Sequence, residues 1–213
     1  MLNKRLHKIY KLSKNKSTKQ PLIVLIHGYG SNENDLFSFN SLFDENLNIV
    51  SYRATKEFYQ NMYAWYDIYF ENNVKSFDEK TAIQSAKLLT KEIKLFCKEY
   101  NCDENRVTLI GFSQGAILGY SILFLNPNLL KNLVALSGYV EEKILDRNDI
   151  KTNTSIYVSH GKNDETIPYD DSKKTLQLLD SKKIKYDFYE FNQGHGVSQE
   201  NLYSFLNWLS KKY

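Results

Sequence analysis

Short unbroken apolar runs alternate along this chain with longer stretches in which apolar side chains return at helical spacing. Leu22-Ile23-Val24-Leu25-Ile26 has no polar interruption, the pattern of a central strand buried on both faces. Arg106-Val107-Thr108-Leu109-Ile110, Asn132 to Ser137, Ser155 to Ser159 and Ile184 to Phe191 read as further strands, and Asn48 to Tyr52 as a weaker one. Leu6 to Tyr10 reads as a short edge strand, followed by a polar turn from Ser13 to Gln20. Ser76-Phe77-Asp78-Glu79 has capping-box spacing and opens a long helix carrying Ala82, Ala86, Leu89, Ile93 and Phe96 on one face. Ala116 to Leu125 and Asp170 to Ser181 read as helices. A last amphipathic helix shows Leu202, Phe205, Leu206 and Leu209 at i, i+3, i+4 and i+7. This alternation predicts a single α/β domain over residues 1–213, with a mostly parallel central sheet and helices on both faces. Between Ser137 and Ser155 there is room for a loop but not for a large lid domain, so a nearly uncovered site is expected.

Composition narrows the class. The chain has 213 residues, 42% hydrophobic and 25% charged, which is globular rather than disordered. No apolar run approaches the roughly 18 residues that a membrane span needs, so no stable membrane insertion is expected. The first nineteen residues are rich in Lys and Arg, but no hydrophobic signal region follows, because Leu22 to Ile26 ends at His27-Gly28. Residue 2 is Leu rather than Gly, which argues against myristoylation. A cytoplasmic location is therefore expected. The net charge of +3 is concentrated at the N-terminus, where a basic start could attract an anionic surface, and lysines guarding a solvated edge strand are the favoured explanation. Nothing resembles a nucleic-acid module. Cys97 and Cys102 lack the second pair or nearby His of a zinc site; Cys97 reads as helix packing and Cys102 as a loop residue.

The chemistry enters at Gly111-Phe112-Ser113-Gln114-Gly115. The pentapeptide stands between a strand-like and a helix-like run, the setting of a G-x-S-x-G nucleophile elbow with Ser113 at its apex. A serine hydroxyl needs a base, and the base an orienting carboxylate. In α/β-hydrolases these follow the serine in the order acid, then His. His195, in Gln193-Gly194-His195-Gly196 between the last strand and the last helix, is the expected base; His160 instead ends a strand and orders the turn behind it. Asp164, in the loop after that strand, is favoured over Glu165 as the acid because it is nearer the strand end and shorter. Asp170 and Asp171 are explained as helix N-terminal charges. The expected oxyanion donors are the backbone N–H of Gln114 and that of Tyr29, in the His27-Gly28-Tyr29-Gly30 loop after the buried strand. No metal site is suggested by the residues.

With these residues in place, the chain resembles the phospholipase/carboxylesterase family of α/β-hydrolases. Leu25 to Gly30, Tyr63-Ala64-Trp65-Tyr66-Asp67, Asp103 to Ala116, His160 to Asp164 and Gly194-His195 carry the resemblance, GFSQG most specifically. It implies hydrolysis of short- to medium-chain carboxylic esters without a cofactor, with a lysophospholipid or an acylated thiol as the alternative substrate. It also implies that Trp65 lies near the acyl pocket, a residue that otherwise reads as core or as a homodimer contact. The apolar lid-like loop of the acyl-protein thioesterases has no clear counterpart in the sequence, which places small-ester hydrolysis ahead. A non-catalytic binding protein on a hydrolase fold is the remaining alternative.

Overall fold

The computed structural model describes residues 5–71, 74–145 and 150–213. Residues 1–4, at the head of the basic N-terminal stretch, and 146–149, in the loop expected between Ser137 and Ser155, lie outside them. The strands are β1 (Lys8–Lys11), β2 (Leu22–Ile26), β3 (Asn48–Tyr52), β4 (Lys56–Tyr59), β5 (Met62–Ala64), β6 (Ile68–Glu71), β7 (Val74–Phe77), β8 (Val107–Phe112), β9 (Asn132–Leu136), β10 (Ser155–Gly161) and β11 (Asp187–Phe191). The α-helices are α1 (Asn34–Phe37), α2 (Glu79–Glu99), α3 (Gln114–Leu125), α4 (Tyr169–Ser181) and α5 (Gln199–Ser210).

Seven strands form one sheet in the order β1-β3-β2-β8-β9-β10-β11. All neighbours are parallel except β1, which pairs antiparallel with β3 at the edge. The unbroken apolar strands divide their side chains between two cores. Leu22, Val24 and Ile26 join Leu109 and Leu133 under α2, α3 and α4. Ile23 and Leu25 join Ile110, Val134 and Tyr157 under α1 and α5. A strand buried on both faces needs no polar alternation, which is why β2 reads as it does. Helix α3 is buried on every side through Phe124, as its nearly continuous apolar sequence requires. Gly119 lets it approach the sheet, since a Cβ there would stand 2.8 Å from a Leu133 methyl.

Several boundaries differ from expectation for local reasons. Helix α2 is capped by the Asp78 carboxylate, which accepts from the Thr81 N–H at 3.0 Å; Ser76 and Phe77 belong to β7 instead. The segment Ile184 to Tyr186 is not strand. Lys183 adopts φ +56, and the Ile184 and Lys183 amides bond back to the Leu179 and Asp180 carbonyls, a Schellman cap that seals α4 with an Ile184–Leu179 contact in the core. The same device ends α2. Asn101 takes φ +53, the Cys102 N–H donates to the Cys97 carbonyl, and the two thiols sit together in the core. Cys102 is thus a loop residue, as expected, but a buried one that packs into the cap.

The unexpected element is the pair of hairpins β4–β5 and β6–β7 inserted between β3 and α2. Their strands are short, and β4 and β6 are mostly exposed, so no long buried face imposes an alternation on the sequence. They stand over the carboxyl ends of the parallel strands, where an open α/β sheet places its ligands.

Candidate active site

Ser113 sits between β8 and α3 at φ +53 and ψ −117, a conformation that a non-glycine residue holds only when its surroundings enforce it. Three contacts do so. The Ser113 N–H donates to the Leu136 carbonyl at 2.9 Å, and its own carbonyl accepts from Ala116 and Ile117. The glycines two positions away leave no alternative. A Cβ on Gly115 would lie 2.1 Å from the Ile26 carbonyl oxygen, and one on Gly111 would lie 2.4 Å from that of Gly115.

The Ser113 Oγ stands 2.9 Å from His195 Nε2, and His195 Nδ1 stands 2.7 Å from Asp164 Oδ2. The partners assign the tautomer: the carboxylate can only accept, so Nδ1 carries the proton and Nε2 faces the hydroxyl as an acceptor. Asp164 has no side-chain exposure, and its other oxygen, Oδ1, accepts from the Thr166 and Ile167 amides at 2.9 and 2.8 Å. The His195 loop docks on the Asp164 loop through Asn163 N–H to the Gln193 carbonyl, 3.1 Å. The Gln193 side chain ties the loop to itself, donating to the Gly196 carbonyl and accepting from the Ser198 amide.

The residues weighed against these fall elsewhere. His160 is fully buried, with Nε2 2.8 Å from the Ile167 carbonyl, so it orders the Asp164 turn from behind. Glu165 is exposed at the cavity wall. Asp170 and Asp171 occupy the first turn of α4 and pair with Lys173 and Lys174.

The loop expected to supply an oxyanion donor crosses directly over Ser113, for a Cβ on Gly28 would stand 3.2 Å from the Ser113 Cβ. The Gly30 and Ser31 amides are taken by the Tyr63 and Gly28 carbonyls, which leaves the Tyr29 N–H at the turn. Gln114 opens α3, where an N–H has no intrahelical acceptor and the helix dipole presents its positive end. His27 supports the loop from below. Its Nδ1 meets the Gly28 carbonyl at 2.7 Å, and its Nε2 accepts the Ala54 N–H at 3.1 Å. Burial lowers its pKa, only partly offset by the Gly28 bond, so the ring stays neutral.

Trp65 stands behind the cavity, bonded to Gln114 and next to Tyr66, which both line it, rather than in its wall. Its side chain is 1% exposed and does not line the cavity. The indole N–H donates to the His27 carbonyl at 3.0 Å, while its backbone N–H donates to the Gln114 Oε1 at 2.8 Å. The cavity beside Ser113 holds about 510 Å³, and its lining includes Tyr66, Ile68, Phe70, Phe77, Ile117 and Ile167. Hairpin β6–β7 therefore supplies apolar cover that the sequence did not disclose, and the site is less open than expected. Burial pushes the phenols of Tyr66 and Tyr139 up, so both line the cavity as neutral hydrogen-bond donors. The sequence reading overlooked His27, Gln193 and the Gln114 side chain. The one available signal was a glutamine opening an otherwise apolar helix.

Comparison with known proteins agrees with this geometry. The Phospholipase/Carboxylesterase family model matches residues 7–213. The acyl-protein thioesterase 1 of Candida albicans is 29% identical over 216 residues, covering 92% of this chain and 93% of its own. That of Kluyveromyces lactis is 30% identical over 162 residues, covering 71% and 69%. The crystal structure of the Bacillus cereus carboxylesterase superposes with a TM-score of 0.85 at 25% identity, covering 99% of this chain and 96% of that one. A sheet order, an elbow and a family model that agree over almost the whole length leave one assignment: the chain belongs to the phospholipase/carboxylesterase family of α/β-hydrolases.

Proposed function

We propose that this hydrolase is a serine carboxylesterase that cleaves short- to medium-chain carboxylic esters through an acyl-enzyme on Ser113. The observation that carries the reading is the unbroken relay from Ser113 Oγ to His195 (2.9 Å) to Asp164 (2.7 Å) at the mouth of an apolar cavity. Ser113 attacks the ester carbonyl as His195 Nε2 takes its proton. Asp164 holds the Nδ1 proton and stabilises the imidazolium. The carbonyl oxygen, now negative, meets the Tyr29 and Gln114 amides at the positive end of α3. His195 returns the proton to the departing alkoxide, and the alcohol leaves. Water, deprotonated by His195, then releases the carboxylic acid and restores Ser113.

A second reading, acyl-protein thioesterase or lysophospholipase, is favoured by the apolar hairpin over the cavity and by the thioesterase relatives. Hydrolysis of p-nitrophenyl esters from acetate to palmitate, with Ser113→Ala alongside, tests both. The expected result is a preference for acetate to hexanoate that disappears in the variant. A rate that climbs to palmitate, each methylene adding about 0.8 kcal/mol of binding, favours the second reading. Turnover retained in Ser113→Ala would sink the assignment of the nucleophile. Covalent capture of Ser113 by a fluorophosphonate excludes a non-catalytic protein.

A further inference from the structure

The two expected oxyanion donors sit on separate pieces of chain, Tyr29 on the loop after β2 and Gln114 at the start of α3. An oxyanion hole works only if its donors keep a fixed separation, because each must lie within about 2.7–3.1 Å of the developing charge. We propose that the Gln114 side chain and Trp65 are the positioning residues that set this separation, an inference that rests on the serine-esterase reading above.

The argument starts from a cost. The Gln114 amide is buried, and an unpaired buried amide is strongly unfavourable. A leucine or methionine would fill the same space at the head of an apolar helix without that cost. Both ends of the amide are nonetheless satisfied, and by one dipeptide: Oε1 accepts the Trp65 N–H at 2.8 Å, and Nε2 donates to the Tyr66 carbonyl at 2.9 Å. The residue whose backbone faces the substrate oxygen therefore clasps a strap 48 to 49 positions distant in sequence.

The same strap grips the other donor. The Tyr63 carbonyl accepts the Gly30 N–H at 2.9 Å, and the Tyr63 N–H donates to Ser31 at 2.9 Å. The Trp65 indole holds the His27 carbonyl at 3.0 Å. Tyr29 is thus bracketed on both sides by bonds to residues 63–65, with His27 holding the Gly28 carbonyl between them. The strap has its own anchor, Ser85 Oγ on α2, which donates to the Trp65 carbonyl at 2.6 Å. One short segment is bonded to the chain around both donors and fixed to the scaffold behind them.

The test uses Gln114→Met, which keeps length but loses both bonds of the clasp, and Trp65→Phe, which removes only the indole donor. Each is assayed for kcat and KM with p-nitrophenyl butyrate, for the Ki of an alkyl trifluoromethyl ketone, and for the pH profile of kcat/KM. The bound ketone carries an oxyanion in the hole, whereas the ground-state ester does not. The expected result is a fall in kcat of about 10- to 100-fold, the scale of an ångström-sized misplacement. Ki should rise by the same factor, while KM and the pH profile stay as in the wild type, because the bonds joining Ser113, His195 and Asp164 are untouched. A merely structural role would lower thermal stability without linking Ki to kcat. The inference is overturned if kcat and Ki match the wild type, or if kcat falls and Ki does not. Should Gln114→Met fail to fold, Trp65→Phe carries the same comparison alone. A wild type that neither reacts with a fluorophosphonate nor binds the ketone would overturn the serine-esterase reading and this inference together; a reactive wild type with unchanged variants overturns the inference alone.

Discussion

Replacing Asp164 by Asn should abolish turnover while barely disturbing the fold, and the reason lies in where its two oxygens point. Oδ1 accepts the part-buried Thr166 and the buried Ile167 amides, and Oδ2 accepts the His195 Nδ1 proton. Asparagine has only one oxygen to share between these duties. With its oxygen toward the backbone amides, its NH2 faces His195, so Nδ1 must become the acceptor. The imidazole proton then moves to Nε2, which points at Ser113 2.9 Å away and can no longer take a proton from it. With the amide turned over, the base is correct, but the buried Ile167 N–H and the part-buried Thr166 N–H face another donor. Each lost partner costs about 1–3 kcal/mol, about 2–6 kcal/mol for the pair. The productive orientation is then populated at about 10⁻¹ to 10⁻⁴, at 1.4 kcal/mol per decade. Adding the lost charge stabilisation of the imidazolium, a fall of about 10⁴ in kcat is expected. The favoured orientation keeps both backbone bonds, so the thermal midpoint should move by no more than about 4 °C. Steady-state hydrolysis of p-nitrophenyl butyrate, the rate of fluorophosphonate labelling and a thermal melt measure the three quantities. Asp170→Asn, at an exposed first-turn position on α4, is the control. Turnover of Asp164→Asn within tenfold of the wild type would refute the tautomer argument.

Gly115→Ala places a methyl 2.1 Å from the Ile26 carbonyl and 2.9 Å from that of His27. It should cost about 3 kcal/mol or more, lowering the thermal midpoint by at least about 6 °C; Gly196→Ala, with open space around it, is the comparison for stability. His27 is held neutral by burial, so its folded pKa lies below the unfolded value of 6.5. The unfolded chain gains this proton first, so the His27 contribution to stability is complete above pH 6.5 and is lost as the pH falls from there through the lowered folded value. The slope of thermal midpoint against pH between about 7 and 5 should flatten in His27→Gln, and an unchanged slope would count against the neutral-imidazole assignment.

The strand–helix alternation, the fully buried β2 and the elbow at Ser113 were legible because each depends on side chains close together in sequence. A strand buried on both faces must be apolar throughout, and a strained turn between strand and helix must have glycines where Ile26 and the Gly115 carbonyl approach. The fold order then placed Asp164 and His195 in the loops after β10 and β11. The caps at Cys102 and Ile184 were missed because Asn and Lys in the left-handed region look like ordinary polar residues. The hairpins over the cavity were missed because strands of three or four residues, mostly exposed in β4 and β6, need no periodicity. Trp65 and Gln114 differ again. Nothing local says that an indole will meet the His27 carbonyl 38 positions away, or that a glutamine amide will clasp residues 65 and 66. Local spacing dictates which face of an element is apolar. The partner of a single buried polar atom depends on how separate elements close over one another, and that becomes definite only when the chain is packed.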